Sequence, residues 1–184
     1  AGSFTQYMDY HTISTTGNAT TFGTFSDRNS FYPEGTQSSA GRGIIAGGFP
    51  NPGDIKILYI TIATTGNTST FGNLTVATWN FAAGTNGTRA VWAGGQTASG
   101  GNAPHNLMSY STIGTTGNAS TFGYLATGAK SSLSGVSNGT NFYICGGDGP
   151  INTIQVVTVA TTSNSASVGT LTKTRQNSAA TSGT

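Results

Sequence analysis

The stretch from Tyr59 to Gly72, YITIATTGNTSTFG, returns along the chain in the same length and order. YHTISTTGNATTFG runs from Tyr10 to Gly23 and YSTIGTTGNASTFG from Tyr110 to Gly123. VVTVATTSNSASVG, from Val156 to Gly169, is a degenerate fourth copy. A period of about fifty residues made of Thr-rich apolar alternation points to stacked β-units, none of which buries its apolar face alone.

Each unit reads as four short strands. In the best-preserved copy the first strand is expected over residues 79–85 and the second over 89–93, joined by the tight-turn dipeptide Asn86-Gly87. The third is expected over 110–113, followed by a turn around Gly117-Asn118 and a fourth strand over 122–126. Apolar residues spaced by Thr give the period-two pattern of strands with a buried face. The divisions expected are a partial blade over 1–26, blades over about 27–77, 78–127 and 128–174, and a partial strand over 175–184.

A double glycine ends each apolar run: Gly47-Gly48, Gly94-Gly95 and Gly146-Gly147. Glycine at that place lets a strand stop and the chain turn where a side chain would collide with the neighbouring unit.

Composition narrows the function classes. Of 184 residues only 7% are charged and the net charge is +2. The cations Arg28, Arg42, Lys56, Arg89, Lys130, Lys173 and Arg175 form no run, so there is no footprint for nucleic acid. No apolar stretch approaches the roughly twenty residues of a membrane-spanning helix. The single cysteine, Cys145, excludes an internal disulfide and a cysteine-rich zinc site, and its apolar neighbours suggest a small buried residue. The carboxylates Asp9, Asp27, Glu34, Asp54 and Asp148 are scattered, and His11 and His105 lie in different units without ligands at metal-binding spacing. The expectation is a protein that is not an enzyme, with no catalytic residue, no metal and no cofactor.

An apolar strand ending in Gly-Gly, a Tyr-bearing strand and an aromatic-bearing strand within about fifty residues resembles the kelch repeat. The resemblance covers essentially the whole chain. It departs where kelch units usually carry Trp on the last strand: Phe22, Phe71 and Phe122 stand there, with Val168 in the weak copy. It implies an all-β, kelch-like β-propeller of about four repeats of four antiparallel strands, or a segment of a larger one. The phrases YITIATTGNTSTFGNLTVAT and GTRAVWAGG also resemble kelch-like repeats in structural proteins of marine tailed phages.

The chain enters and leaves in mid-unit, and its two end fragments are complementary parts of one blade. A longer array is the preferred expectation. A closed ring of four blades and a ring assembled from several copies are the alternatives.

The loops after the double glycines vary most between repeats, which is how a fixed scaffold presents a variable surface. Their ligand-facing candidates are Phe49, Asp54, Asn102, His105 and Asp148, with Phe49 able to stack on a sugar ring. Tyr10, Tyr59 and Tyr110, and Phe22, Phe71 and Phe122, recur in register and read as packing between blades. The Asn-x-Ser/Thr triplets at Asn18, Asn67, Asn73, Asn86, Asn118 and Asn138 read as by-products of turn chemistry.

The function expected from the resemblance is a structural or binding module of a phage virion, in a tail fibre, tail accessory or capsid-surface position, mediating attachment or assembly. Its partners would be other virion proteins or copies of itself, with host surface polysaccharide as a ligand. The alternative is a bacterial extracellular adhesin or glycan-binding surface repeat protein.

Overall fold

The computed structural model describes residues 6–26, 34–37, 41–48, 55–97 and 101–181, of which 34–37 are described through their backbone. The chain is all-β, with antiparallel strands in several small sheets. The strands are β1 Tyr7–Tyr10, β2 Thr20–Thr24, β3 Glu34–Gln37, β4 Arg42–Ala46, β5 Lys56–Thr61, β6 Ser69–Asn73, β7 Thr78–Trp79 and β8 Ala82–Thr85. They continue as β9 Arg89–Ala93, β10 Gln96–Thr97, β11 Leu107–Thr112, β12 Ser120–Tyr124, β13 Ser134–Ser137, β14 Asn141–Cys145, β15 Ile151–Thr158 and β16 Ala166–Arg175.

Three sheets are up-and-down meanders of four strands: β3-β4-β5-β6, β8-β9-β11-β12 and β13-β14-β15-β16. A two-stranded sheet, β1-β2, precedes them. We call these the first to fourth sheets in chain order, with β1-β2 the first. β7 and β10 form a separate small sheet beside the third. Among the described residues no strand pairing joins the first sheet to the fourth.

The core lies between consecutive sheets, as β9 shows. Its residues Ala90 to Ala93 are all buried, yet the period of two still sorts them. Ala90 and Trp92 join Ile44, Ala46, Ile57 and Phe71 of the second sheet. Val91 and Ala93 join Phe142, Ile144, Val157 and Val159 of the fourth. A strand covered on both faces has no polar side, so its sequence is a continuous apolar run.

The expected strand 89–93 coincides with β9, while its neighbours differ in detail. The first strand is split. Thr78–Trp79 pairs with Gln96–Thr97, Asn80 turns the chain at φ 59°, and only Ala82–Thr85 enters the third sheet. The hairpin after it turns on Gly87-Thr88 and not on Asn86-Gly87. Gly87 has φ 83°, and the Asn86 side chain accepts from the Thr88 and Arg89 amides at 3.0 and 2.8 Å. Asn138-Gly139-Thr140 repeats this arrangement in the fourth sheet. The third strand starts earlier than 110–113, at Leu107, and the fourth ends at Tyr124.

One irregularity recurs in all four sheets. The register slips opposite Met8/Asp9, Ile57/Leu58, Met108/Ser109 and Ile154/Gln155. Phe22, Phe71, Phe122 and Val168 are the extra residues so inserted, each followed by glycine. A bulge bends its strand and re-aims the side chain there.

Candidate functional site

The residues that recur most faithfully meet at the joint between sheets. After β11 the chain reverses at Thr112–Thr115, where the Thr115 amide donates to the Thr112 carbonyl at 3.3 Å. Gly117-Asn118 is therefore not the turn itself. It runs beside β6 of the preceding sheet: the Gly117 amide donates to the Phe71 carbonyl at 2.9 Å and the Ala119 amide to the Asn73 carbonyl at 2.7 Å. Asn118 Oδ1 accepts from the Asn73 amide at 3.0 Å, satisfying the backbone donor that the bulge leaves facing the joint.

The same joint is built twice more. Gly66-Asn67 lies along Phe22-Gly23-Thr24, with Gly66 N donating to Phe22 O at 2.9 Å, Thr68 N to Thr24 O at 3.0 Å and Thr24 N to Asn67 Oδ1 at 3.0 Å. Ser163-Asn164 lies along Phe122-Gly123-Tyr124, with Ser165 N donating to Tyr124 O and Tyr124 N to Asn164 Oδ1, both at 3.0 Å. A Cβ on Gly23, Gly72 or Gly123 would sit 2.0 Å from the carbonyl oxygen of Gly66, Gly117 or Ser163, so only glycine admits this approach.

Two further contacts brace the joints that the second and third sheets make with their successors. Tyr59 meets Phe71 edge-on at 6.1 Å, and Tyr110 meets Phe122 at 5.9 Å. Arg42 lies over the Tyr59 ring at 4.8 Å and donates to the Ile113 and Gly114 carbonyls at 3.0 and 3.2 Å. Arg89 lies over Tyr110 at 4.7 Å and donates to Ala160 O at 2.7 Å. Each arginine thus ties its own sheet to the turn of another. Tyr10 and Phe22 make the same edge-on pair at 6.1 Å in the first sheet. Phe22, Phe71 and Phe122 are buried, whereas the three tyrosines remain partly exposed.

The double glycines form a second line of joints. Gly47, Gly94 and Gly146 have φ of 61°, 64° and 68°, and a Cβ on them would meet Thr78, Lys130 and Arg175 carbonyl oxygens at 2.3, 2.5 and 2.6 Å. The amides of Gly48, Gly95 and Gly147 donate to those carbonyls at 3.1, 2.8 and 2.9 Å.

Of the described candidate ligand residues, His105 and Asp148 both abut the Lys130-Ser131 segment. The Lys130 amide donates to the His105 carbonyl at 3.2 Å, and the Ser131 amide donates to Asp148 Oδ1. Phe49 and Asp54 lie outside the described residues. Asn102 stands exposed at φ 61° next to Gly101, between β10 and β11. His105 is half-buried and held at both ring nitrogens: Nε2 lies 2.9 Å from Thr78 Oγ1, and Nδ1 accepts from the Leu107 amide at 3.2 Å. Because Thr78 Oγ1 donates to Gln96 O at 3.1 Å, the ring must donate from Nε2, which fixes the neutral tautomer. Burial lowers the His105 pKa from its ordinary 6.5. Asp148 Oδ1 accepts from the Ser131 amide at 2.7 Å, and the Asp148 carbonyl accepts from Lys130 Nζ at 3.0 Å. His105 and Asp148 therefore fasten the loops on which they sit. Cys145 is half-buried, and burial raises its thiol pKa. His11 Nε2 bonds the Gly17 carbonyl at 3.1 Å.

Two residues of the joint escape a reading of sequence. Gln155 is fully buried, and its Oε1 takes hydrogen bonds from Ala126 N at 3.0 Å, Thr127 N at 3.3 Å and Ser165 Oγ at 2.7 Å. Its Nε2 donates to Thr127 Oγ1 at 3.0 Å. Ser109 holds the equivalent strand position in the third sheet and bonds Thr75 Oγ1. The one available signal is a glutamine set among apolar neighbours in Ile154-Gln155-Val156-Val157.

Among the described residues no group of three or more His, Cys, Asp or Glu side chains is placed to hold a metal ion, and no helix is long and apolar enough to cross a membrane. No family model matches the chain, and neither does any curated protein.

Proposed function

We propose that the chain is a non-enzymatic, kelch-like β-propeller module of a tailed-phage virion, in a tail fibre, tail accessory or capsid-surface position, where it serves assembly or attachment. The observation that carries the scaffold reading is the joint itself. The side chains that recur with the repeat (Asn67, Asn118 and Asn164, with the Phe-Gly pairs) are engaged in holding one sheet to the next. His105 and Asp148 are likewise engaged in holding loops. The four-stranded meanders stacked through shared cores support the propeller form, and the phrasing of the repeats supports the virion setting. The loops after the double glycines, with Asn102 at an exposed tip, are then the surface offered to a partner or to host polysaccharide.

The test is quantitative mass spectrometry of phage particles purified through successive density gradients. A virion component stays with the particles at a fixed ratio to the major capsid protein. Recovery only from the bacterial envelope would favour the adhesin reading and sink this one.

A further inference from the structure

We infer that the fourth sheet carries an open socket for a second copy of this chain, and that the Gly17-Asn18 segment of that copy is what fills it. At three joints a Gly-Asn or Ser-Asn segment runs along a bulged strand. β16 has the same bulge, at Val168, followed by the same glycine, Gly169. Nothing lies within 4 Å of the position a Gly169 Cβ would take, where the other three glycines meet a backbone oxygen at 2.0 Å. Val168 is 55% exposed, although Phe22, Phe71 and Phe122 at the same place are buried by the next sheet.

The matching plug stands at the other end of the fold. Gly17-Asn18 occupies in the first sheet the place that Gly66-Asn67 and Gly117-Asn118 occupy in the next two. What sets it apart is its surroundings: Ala19 is exposed where Thr68 and Ser165 are buried in their joints, and Ile13 is 99% exposed where Ile113 and Val159 are fully buried. Among the described residues the Asn18 side chain bonds to no neighbour, while His11 holds the segment through the Gly17 carbonyl. Socket and plug are the two halves of one joint that the protein builds three times within itself, so the interface is continuous with an existing one and runs head to tail.

The chain beyond β16 already follows the route from one repeat into the next. Gly147 N donates to Arg175 O as Gly95 N does to Lys130 O. Asn177 has φ 52°, as Ser132 has 55° and Asn80 has 59°, and Asn177 N donates to Ser132 O as Ser132 N does to Asn80 O. The incoming copy would meet this segment as each sheet meets its predecessor.

The socket lacks part of the bracing. Asn141 stands where Arg42 and Arg89 stand, Val156 where Tyr59 and Tyr110 stand, and Val168 where the phenylalanines stand. The second copy is held mainly by the backbone and by Asn18, which makes the association reversible.

Two substitutions test this in the 184-residue chain. Gly169→Val fills the socket in a place where the single copy has room for a side chain. Asn18→Lys removes the acceptor and adds bulk to an exposed plug. By analytical ultracentrifugation the native chain should associate as concentration rises, and each variant alone should stay at the monomer mass of 18.6 kDa while keeping the native far-ultraviolet spectrum and melting temperature. Mixing the two variants leaves one intact socket and one intact plug, so the mixture should form dimers and nothing larger. A native chain that stays monomeric, association that survives either substitution, or a mixture that fails to dimerise would each overturn the inference.

Discussion

The Asn73 amide donates to Asn118 Oδ1 across the joint between two sheets, at 3.0 Å, and the Thr24 and Tyr124 amides do the same with Asn67 and Asn164. A side-chain carbonyl here completes a ladder that backbone atoms begin on either side. Asn suits the role because its short side chain carries an acceptor close to the main chain.

Replacing Asn118 with Ala should cost about 1 kcal/mol, the size of one hydrogen bond whose backbone donor water can still reach. Urea unfolding should show a lower midpoint with an unchanged slope. Asn118→Asp, which keeps the acceptor, should recover most of the loss.

Gln155 should matter more because it is fully buried and serves several donors. Gln155→Leu puts there the residue type that Leu58 supplies in the second sheet, so shape is roughly kept and the polar contacts are lost. The Thr127 amide and hydroxyl then lose their bonds to Gln155, and the cost should be about 2 kcal/mol. Calorimetry on the variant would show it as a lowered Tm; a rise in Tm would mean that apolar packing outweighs these hydrogen bonds.

Acid should weaken the fold through His105. Its folded pKa lies below the ordinary 6.5, so as pH falls the unfolded chain takes up the proton first. The stabilisation is fully present above 6.5 and is lost as pH drops from there toward the lowered folded value. Protonating Nδ1 also breaks the bond from the Leu107 amide. Melting temperature followed against pH should decline on this side in the native chain, and His105→Gln should flatten that part of the decline.

How far the fold can be read in the sequence follows from where each constraint acts. β9 is legible because an apolar run closed by Gly94-Gly95 carries its own signal. Four-strand units are legible because the repeat marks them. Gly117-Asn118 misleads as a turn, because the dipeptide is a local turn signal while here the neighbouring sheet sets its conformation. The glycine after each phenylalanine is required by a backbone oxygen some forty residues away in sequence, which no local pattern reveals. His105 and Asp148 suggest ligands in a variable loop, and no local pattern reveals that backbone amides also bond His105 Nδ1 and Asp148 Oδ1. Trp79 suggests the start of a long strand, yet the positive φ of Asn80 divides it.

The most direct test of the joint is one substitution made at two places with the same local sequence role, Gly72→Val and Gly169→Val, compared by urea unfolding at a concentration where the native chain is monomeric. At Gly72 the new side chain collides with Gly117 O, and the loss should be about 3 kcal/mol or more. At Gly169 it meets open space, and stability should stay within about 0.5 kcal/mol of native. Equal losses at both sites would mean that glycine is needed for the strand itself, and the joint would not be what holds the repeats together.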